Sequence, residues 1–239
     1  MRPMMRCISA AALFLLSGQI GEAASLRVSP TTVDLIAPDS AATLNLSNEA
    51  KRPINVQVRV FRWTQEGGVD RLEPTEDVVA SPPATEMQAN ASYVVRVVRV
   101  TKAPIATEES YRVVVDELPD PARRQAGTVS LVVRHSIPVF FRNPDASAAQ
   151  VSWTIQRSSG TTLLVGRNSG DSRLRLSDLS LSRDGQRLGG RNGLIGYVLG
   201  GATMQWPIPL SRTPAGGSIT LSAQTQTGPL NASVAVKDR

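Results

Sequence analysis

The sequence predicts an all-β protein built as two sheet sandwiches. Three observations predict it: nearly every segment alternates polar and apolar residues with period two, sustained helical periodicity is absent, and turn residues recur at steps of about 8–15. Removing an N-terminal leader leaves about 215 of the 239 residues, enough for two domains of roughly a hundred each.

In the first half, strands are expected over 26–36, 42–47, 54–63, 92–100, 111–118 and 128–141. The run I-N-V-Q-V-R-V puts Ile54, Val56, Val58 and Val60 on one face and Asn55, Gln57 and Arg59 on the other. Glu66-Gly67-Gly68 marks a tight turn, and Ser81-Pro82-Pro83 a loop or sheet edge, because consecutive prolines cannot donate to a ladder. The longest pattern is T-V-S-L-V-V-R-H-S-I-P-V-F-F-R over 128–142, in which Val129, Leu131, Val133, Ile137 and Val139 share one face. Its fifteen residues far exceed the usual strand of about five or six, so its apolar side chains outnumber what one domain needs.

A polar linker, Asn143-Pro144-Asp145-Ala146-Ser147, separates the halves, dividing the chain into 25–143 and 144–239. Second-half strands are expected over 150–156, 162–167, 174–181, 197–199, 203–208, 218–224 and 232–236. More Gly and Ser here predict a smaller or less regular sandwich, and the halves show no convincing sequence repeat.

The chain opens with M-R-P-M-M-R, an apolar run over 8–16 and the small-residue stretch G-Q-I-G-E-A-A, which reads as a cleavable secretory signal peptide over 1–24. Gly21-Glu22-Ala23 fits the cleavage pattern, with cleavage after Ala24 the alternative. The apolar run is too short to span a bilayer, and no later segment approaches eighteen apolar residues, so an exported chain without membrane insertion is expected. Cys7 lies inside the leader, preceded by Met5 and Arg6, which argues against lipidation and leaves the remainder without disulfides. Net charge is +6, or +5 without the leader, spread singly along strands with no aromatic interleaving, so nucleic acid is not expected as a partner.

No catalytic constellation emerges. His135 is the only histidine, it sits mid-strand beside Arg134, and no G-x-S-x-G turn accompanies it. Metal centres draw on several His or Cys ligands, so no metal or other cofactor is expected. Asp116 and Glu117 are adjacent on a strand and face opposite ways, which excludes a carboxylate pair. The glycines at 185, 189, 190 and 193 sit among turns and form no phosphate loop. A binding module, not an enzyme, is the reading.

The runs V-S-P-T-T-V-D-L, A-T-L-N-L-S-N-E, V-Q-V-R-V-F-R-W, L-E-P-T-E-D-V-V-A-S-P-P, Y-R-V-V-V-D-E-L-P and S-I-P-V-F-F-R, in that order, resemble the periplasmic pilus chaperones of the chaperone–usher pathway. G-R-N-S-G-D-S-R-L-R-L-S-D-L, G-Y-V-L-G-G and W-P-I-P-L extend the resemblance through the second half, closest to the branch serving spore-coat-protein-U-like pilins. The resemblance implies two immunoglobulin-like β-sandwich domains in a boomerang arrangement, in the periplasm. It implies binding of pilin subunits by donor-strand complementation: Val129, Leu131 and Val133 fill pockets in a subunit that lacks a strand, and an outer-membrane usher receives the subunit. An unpaired donor edge also permits self-association of the free protein.

Relatives anchor the subunit's terminal carboxylate with two basic residues, but those positions fall on Thr32 and Pro138 here. Arg112 and Arg134 are the substitutes, with Arg27 a weaker third, since a guanidinium binds a carboxylate bidentately. Arg142 matches a family arginine in an interdomain ion pair with Glu108, while the usual second-domain acid falls near Gln226. The alternative class is a secreted two-domain adhesin or carbohydrate-binding sandwich, which needs exposed aromatics; only ten aromatics occur, and Trp63 and Trp153 sit in strands where core packing is expected.

Overall fold

The computed structural model describes residues 26–120, 132–158, 161–210 and 218–237. The signal-peptide reading over 1–24, Val129 and Leu131 lie outside them.

Alternation builds the first sandwich. Ten strands run in order: β1 (Leu26–Ser29), β2 (Val33–Ile36), β3 (Ala41–Asn48), β4 (Ile54–Glu66), β5 (Val69–Pro74), β6 (Val78–Ser81), β7 (Ala84–Met87), β8 (Ser92–Arg99), β9 (Glu108–Leu118) and β10 (Arg134–Arg142). They form a four-stranded sheet, β1-β3-β8-β6, and a six-stranded sheet, β2-β10-β9-β4-β5, with β7 also pairing β4. Leu44, Leu46, Val95 and Val97 from one sheet pack on Val56, Val113, Val115 and Val139 from the other, and their removal from water is the main stabilising term.

The segment expected as one strand over 26–36 is two. Pro30 interrupts it, and the chain crosses from the first sheet to the second between β1 and β2. Pro82-Pro83 does the same between β6 and β7. In both places the missing N–H ends the ladder where the chain changes sheets. Gly67 and Gly68, at φ +62° and +82°, form the two-residue turn between β4 and β5 that the Gly-Gly pair predicts.

The last seven strands are β11 (Val151–Ser158), β12 (Thr161–Asn168), β13 (Leu174–Arg183), β14 (Gln186–Val198), β15 (Thr203–Pro207), β16 (Ile219–Thr225) and β17 (Gly228–Lys237). They hydrogen-bond in one sheet, β14-β13-β16-β17-β11-β12-β15, that folds over a core including Trp153, Leu164, Leu176, Leu181, Trp206 and Leu221. A bridge between Gly189 and Leu210 closes the ends. A Cβ on Gly189 would lie 2.3 Å from the Pro209 oxygen, so only glycine allows that approach.

Two asparagines play one role in the two sandwiches. Asn48, 1 % exposed, donates to the Arg52, Met87 and Gln88 carbonyls and accepts from Ala50 N. Asn168, equally buried, donates to the Ser172, Val198 and Leu199 carbonyls and accepts from Gly170 N and Gln150 N. Each pins the corner after its strand to a distant one. Asn168→Ala leaves three carbonyls without the amide donor, so urea unfolding should show a loss of about 3 kcal/mol.

Candidate functional site

The open edge of β10 is the first element of the site. β10 pairs antiparallel with β9 along its whole length, but β2 covers the opposite edge only over 139–142. Among the described residues no strand covers that edge over 134–138. Glu117 N donates to Val133 O at 2.9 Å, so Val133 faces β9; by antiparallel alternation the main-chain groups of Arg134 and Ser136 point to the open side. His135 Nε2 lies 2.9 Å from Leu26 O and spans the seam between the two sheets at this edge.

Of the shared face predicted from the sequence, Ile137 and Val139 are core residues and Val133 is half-buried. The described strand begins at Arg134, six residues later than expected. Just before it, Val132 is 47 % exposed, as is Leu118 at 40 %, an apolar patch at the end of the open edge.

The basic residues sort by partner. Arg134 Nε binds Asp116 Oδ1 at 2.5 Å, and Arg59 Nη2 binds Asp116 Oδ2 at 2.6 Å. Burial alone would raise the Asp116 carboxyl, but the hydrogen bonds from Arg134 and Arg59 outweigh it and hold the group below its ordinary value. Arg27 is paired with Glu49 at 2.7 Å. Two of the three anchor candidates are therefore already neutralised.

Arg112 differs. Its guanidinium carbon lies 3.7 Å from the Trp63 ring centroid and 5.6 Å from that of Tyr197. Among the described residues it has no carboxylate within 4 Å, and its one hydrogen bond is a long 3.4 Å contact to Ser136 O. Burial pushes the guanidinium below its ordinary value and outweighs the opposing Coulombic pull of Tyr197 and Asp70.

The ion pair expected between Arg142 and Glu108 is replaced. The two residues are cross-strand neighbours, but Glu108 binds Arg173 of the second sandwich: Oε2 to Nη1 at 2.5 Å and Oε1 to the Arg173 N–H at 3.0 Å. Arg173 also holds Asp34 Oδ2 at 2.6 Å and lies 3.5 Å over the Phe140 ring. At the expected acid position, Gln226 donates to Arg173 O and accepts from Arg175 N. The bridge thus has the opposite polarity, with two first-half carboxylates gripping one second-half arginine. Nothing in S-R-L-R-L distinguishes Arg173 from Arg175.

Between the sandwiches, Trp63, Phe140, Tyr197 and Leu199 form a buried cluster. The Trp63 and Tyr197 rings meet edge-on, 5.3 Å apart. Gln65 clamps the opposite backbone, donating to Tyr197 O at 2.8 Å and accepting from Leu199 N at 2.9 Å. Gln205 N donates to Gly68 O at 3.1 Å, so the β4–β5 turn also touches β15. Gln65→Ala should accelerate exchange of the Leu199 amide about tenfold, read by NMR, because that proton loses its acceptor.

Two immunoglobulin-like sandwiches, joined through an aromatic cluster and an ion triad, define the class of protein. Residues 25–147 match the family described as pili and flagellar-assembly chaperone, PapD N-terminal domain, and the chain belongs to that family of non-enzymatic pilus-assembly chaperones. Among solved structures, it is similar to a chain of the CsuC–CsuE chaperone–tip adhesion subunit pre-assembly complex from the archaic chaperone–usher Csu pili of Acinetobacter baumannii. That match has 24 % identity and TM-score 0.70, covering 90 % of this chain and all of the other. It is also similar to the E. coli chaperone DraB, at 23 % identity and TM-score 0.59 over 89 % of this chain and 97 % of that one. A chain of the Salmonella enterica SafA pilin–SafB chaperone complex matches at 21 % identity and TM-score 0.61, again over 89 % and 97 %. At these identities the likenesses concern the fold. No curated protein sequence matches the chain significantly.

Proposed function

We propose that this protein is a periplasmic chaperone that captures pilin subunits by donor-strand complementation and delivers them to an outer-membrane usher. It would serve the branch whose pilins resemble spore coat protein U, after removal of a signal peptide over 1–24. The observation that carries the reading is the open edge of β10 over 134–138, continuous with the apolar alternation of Val129, Leu131 and Val133. An added strand gains main-chain hydrogen bonds along such an edge, and alternate apolar side chains fill the visitor's pockets.

Arg112 is the favoured carboxylate anchor, since Arg134 and Arg27 already hold acids. The test is co-expression with the pilin encoded by a neighbouring reading frame. A one-to-one complex that co-purifies and is lost when the edge is blocked by Ser136→Pro supports the reading. A pilin that stays soluble without the chaperone, or a complex indifferent to Ser136→Pro, defeats it.

A further inference from the structure

Tyr197 belongs to the second sandwich, yet it helps to shape the surroundings of a first-sandwich arginine. We propose that Tyr197 is a positioning residue that sets the affinity of Arg112 for the terminal carboxylate of a captured strand, so that this site is built by both domains. The inference rests on the strand-capture reading above.

The edge geometry explains why a chain end meets Arg112. A visiting strand can occupy the β10 edge only up to Pro138, because β2 takes it from Val139 onward. Pro138 lies directly opposite Arg112 in the β9–β10 register. A visitor running parallel to β10, as β2 does, therefore halts with its C-terminus beside that guanidinium. A carboxylate is the group that pairs most strongly with a planar cation, and this one has no ion-pair partner among the described residues.

Shaping comes from the two rings. Trp63, from β4, lies 3.7 Å beneath the guanidinium, and its indole N–H is tied to Asp70 at 2.8 Å. Tyr197, from β14, stands at 84° to Trp63 and forms an adjacent wall, its ring centroid 5.6 Å from the guanidinium carbon. Its backbone is held by Gln65 and its ring by Phe140, 5.9 Å away. A guanidinium against aromatic faces keeps its in-plane N–H donors for an anion. Because the corner restricts the arginine beforehand, less freedom is lost on binding. Without Tyr197 one wall of the corner is gone, and the domain contact no longer bears on Arg112.

The test uses the full chain co-expressed with the neighbouring pilin in two forms: one ending at its native carboxylate, the other extended by two glycines, which moves the carboxylate about 7 Å. The unmodified chaperone should retain the native form about tenfold better than the extended one in a competition pull-down. Tyr197→Leu should reduce that preference to within about twofold without weakening capture of the extended form, while Tyr197→Phe, which keeps the ring, should preserve it. If Arg112→Gln removes the preference but Tyr197→Leu keeps it, the positioning role is wrong and the anchor stands. If Arg112→Gln keeps the preference, the anchor reading fails first. Equal loss of both forms in Tyr197→Leu marks a merely structural residue and also overturns the inference.

Discussion

Leu131→Asp should abolish pilin capture while the chaperone itself remains folded. In the strand-capture reading this leucine enters an apolar pocket of the subunit, and a carboxylate there must be buried unpaired or protonated. Either costs several kcal/mol; about 4 kcal/mol corresponds to roughly a thousandfold in affinity, enough to empty a complex at cellular concentrations. Folding should be spared, because the described core draws Ile137, Val139 and Phe141 from this strand, all beyond the substituted position. The measurement pairs co-purification of the pilin with a thermal melt of the free chaperone. Undiminished co-purification, with an unchanged melt, would remove Leu131 from the donor set.

How far the sequence reveals this architecture depends on whether a strand buries a face. The alternation in I-N-V-Q-V-R-V marks β4 because Val56 and Val58 enter the core. β5 carries no such mark: all six of its residues are exposed, so nothing in V-D-R-L-E-P has to alternate. β14 is hidden differently, because only 197–199 was expected where a strand of thirteen residues forms. Gly189, Gly190, Gly193 and Gly196 break the apolar pattern, and a Cβ on Gly190 would lie 2.2 Å from Leu179 O. The glycines that permit close packing there erase the pattern by which strands are recognised.

The candidate site divides the same way. The excess apolar length around Val133 is visible in one dimension. That Arg134 is neutralised and Arg112 is not depends on Asp116 lying opposite one and two aromatic rings surrounding the other. Arg173 meets partners 65 and 139 residues away in sequence, a closure that no local spacing announces. The two corner asparagines show the limit in reverse, since Asn48 and Asn168 do equivalent work where the surrounding sequence shows no convincing repeat.

The triad around Arg173 leads to the second large effect. Arg173→Met should destabilise the joined sandwiches by about 3–5 kcal/mol at neutral pH, because it strands a buried carboxylate. Glu108 is the group that suffers: its side chain is 1 % exposed, whereas Asp34 is 45 % exposed and can be solvated. Burial raises the Glu108 carboxyl above its ordinary value, and Arg173 is the principal counterweight. A carboxyl raised on folding binds its proton more tightly in the folded state. Its contribution is therefore fully present below the unfolded carboxylate pKa and is lost as pH rises through the folded one. Removing Arg173 lifts the folded value further and extends that loss upward. The gap between variant and parent in urea unfolding should thus be smallest in acid and widen towards neutrality. The depressed carboxyls of Asp77, Glu109 and Asp116 act in the opposite direction, but they are common to both proteins and drop out of the difference. Adding Glu108→Gln to Arg173→Met should recover most of the loss and flatten its pH dependence, since a neutral amide needs no cation. Recovery stays incomplete because the arginine's contact with Phe140 is gone in both variants. A gap that is constant with pH, or a double variant no better than the single, would show that Glu108 is not what Arg173 supports.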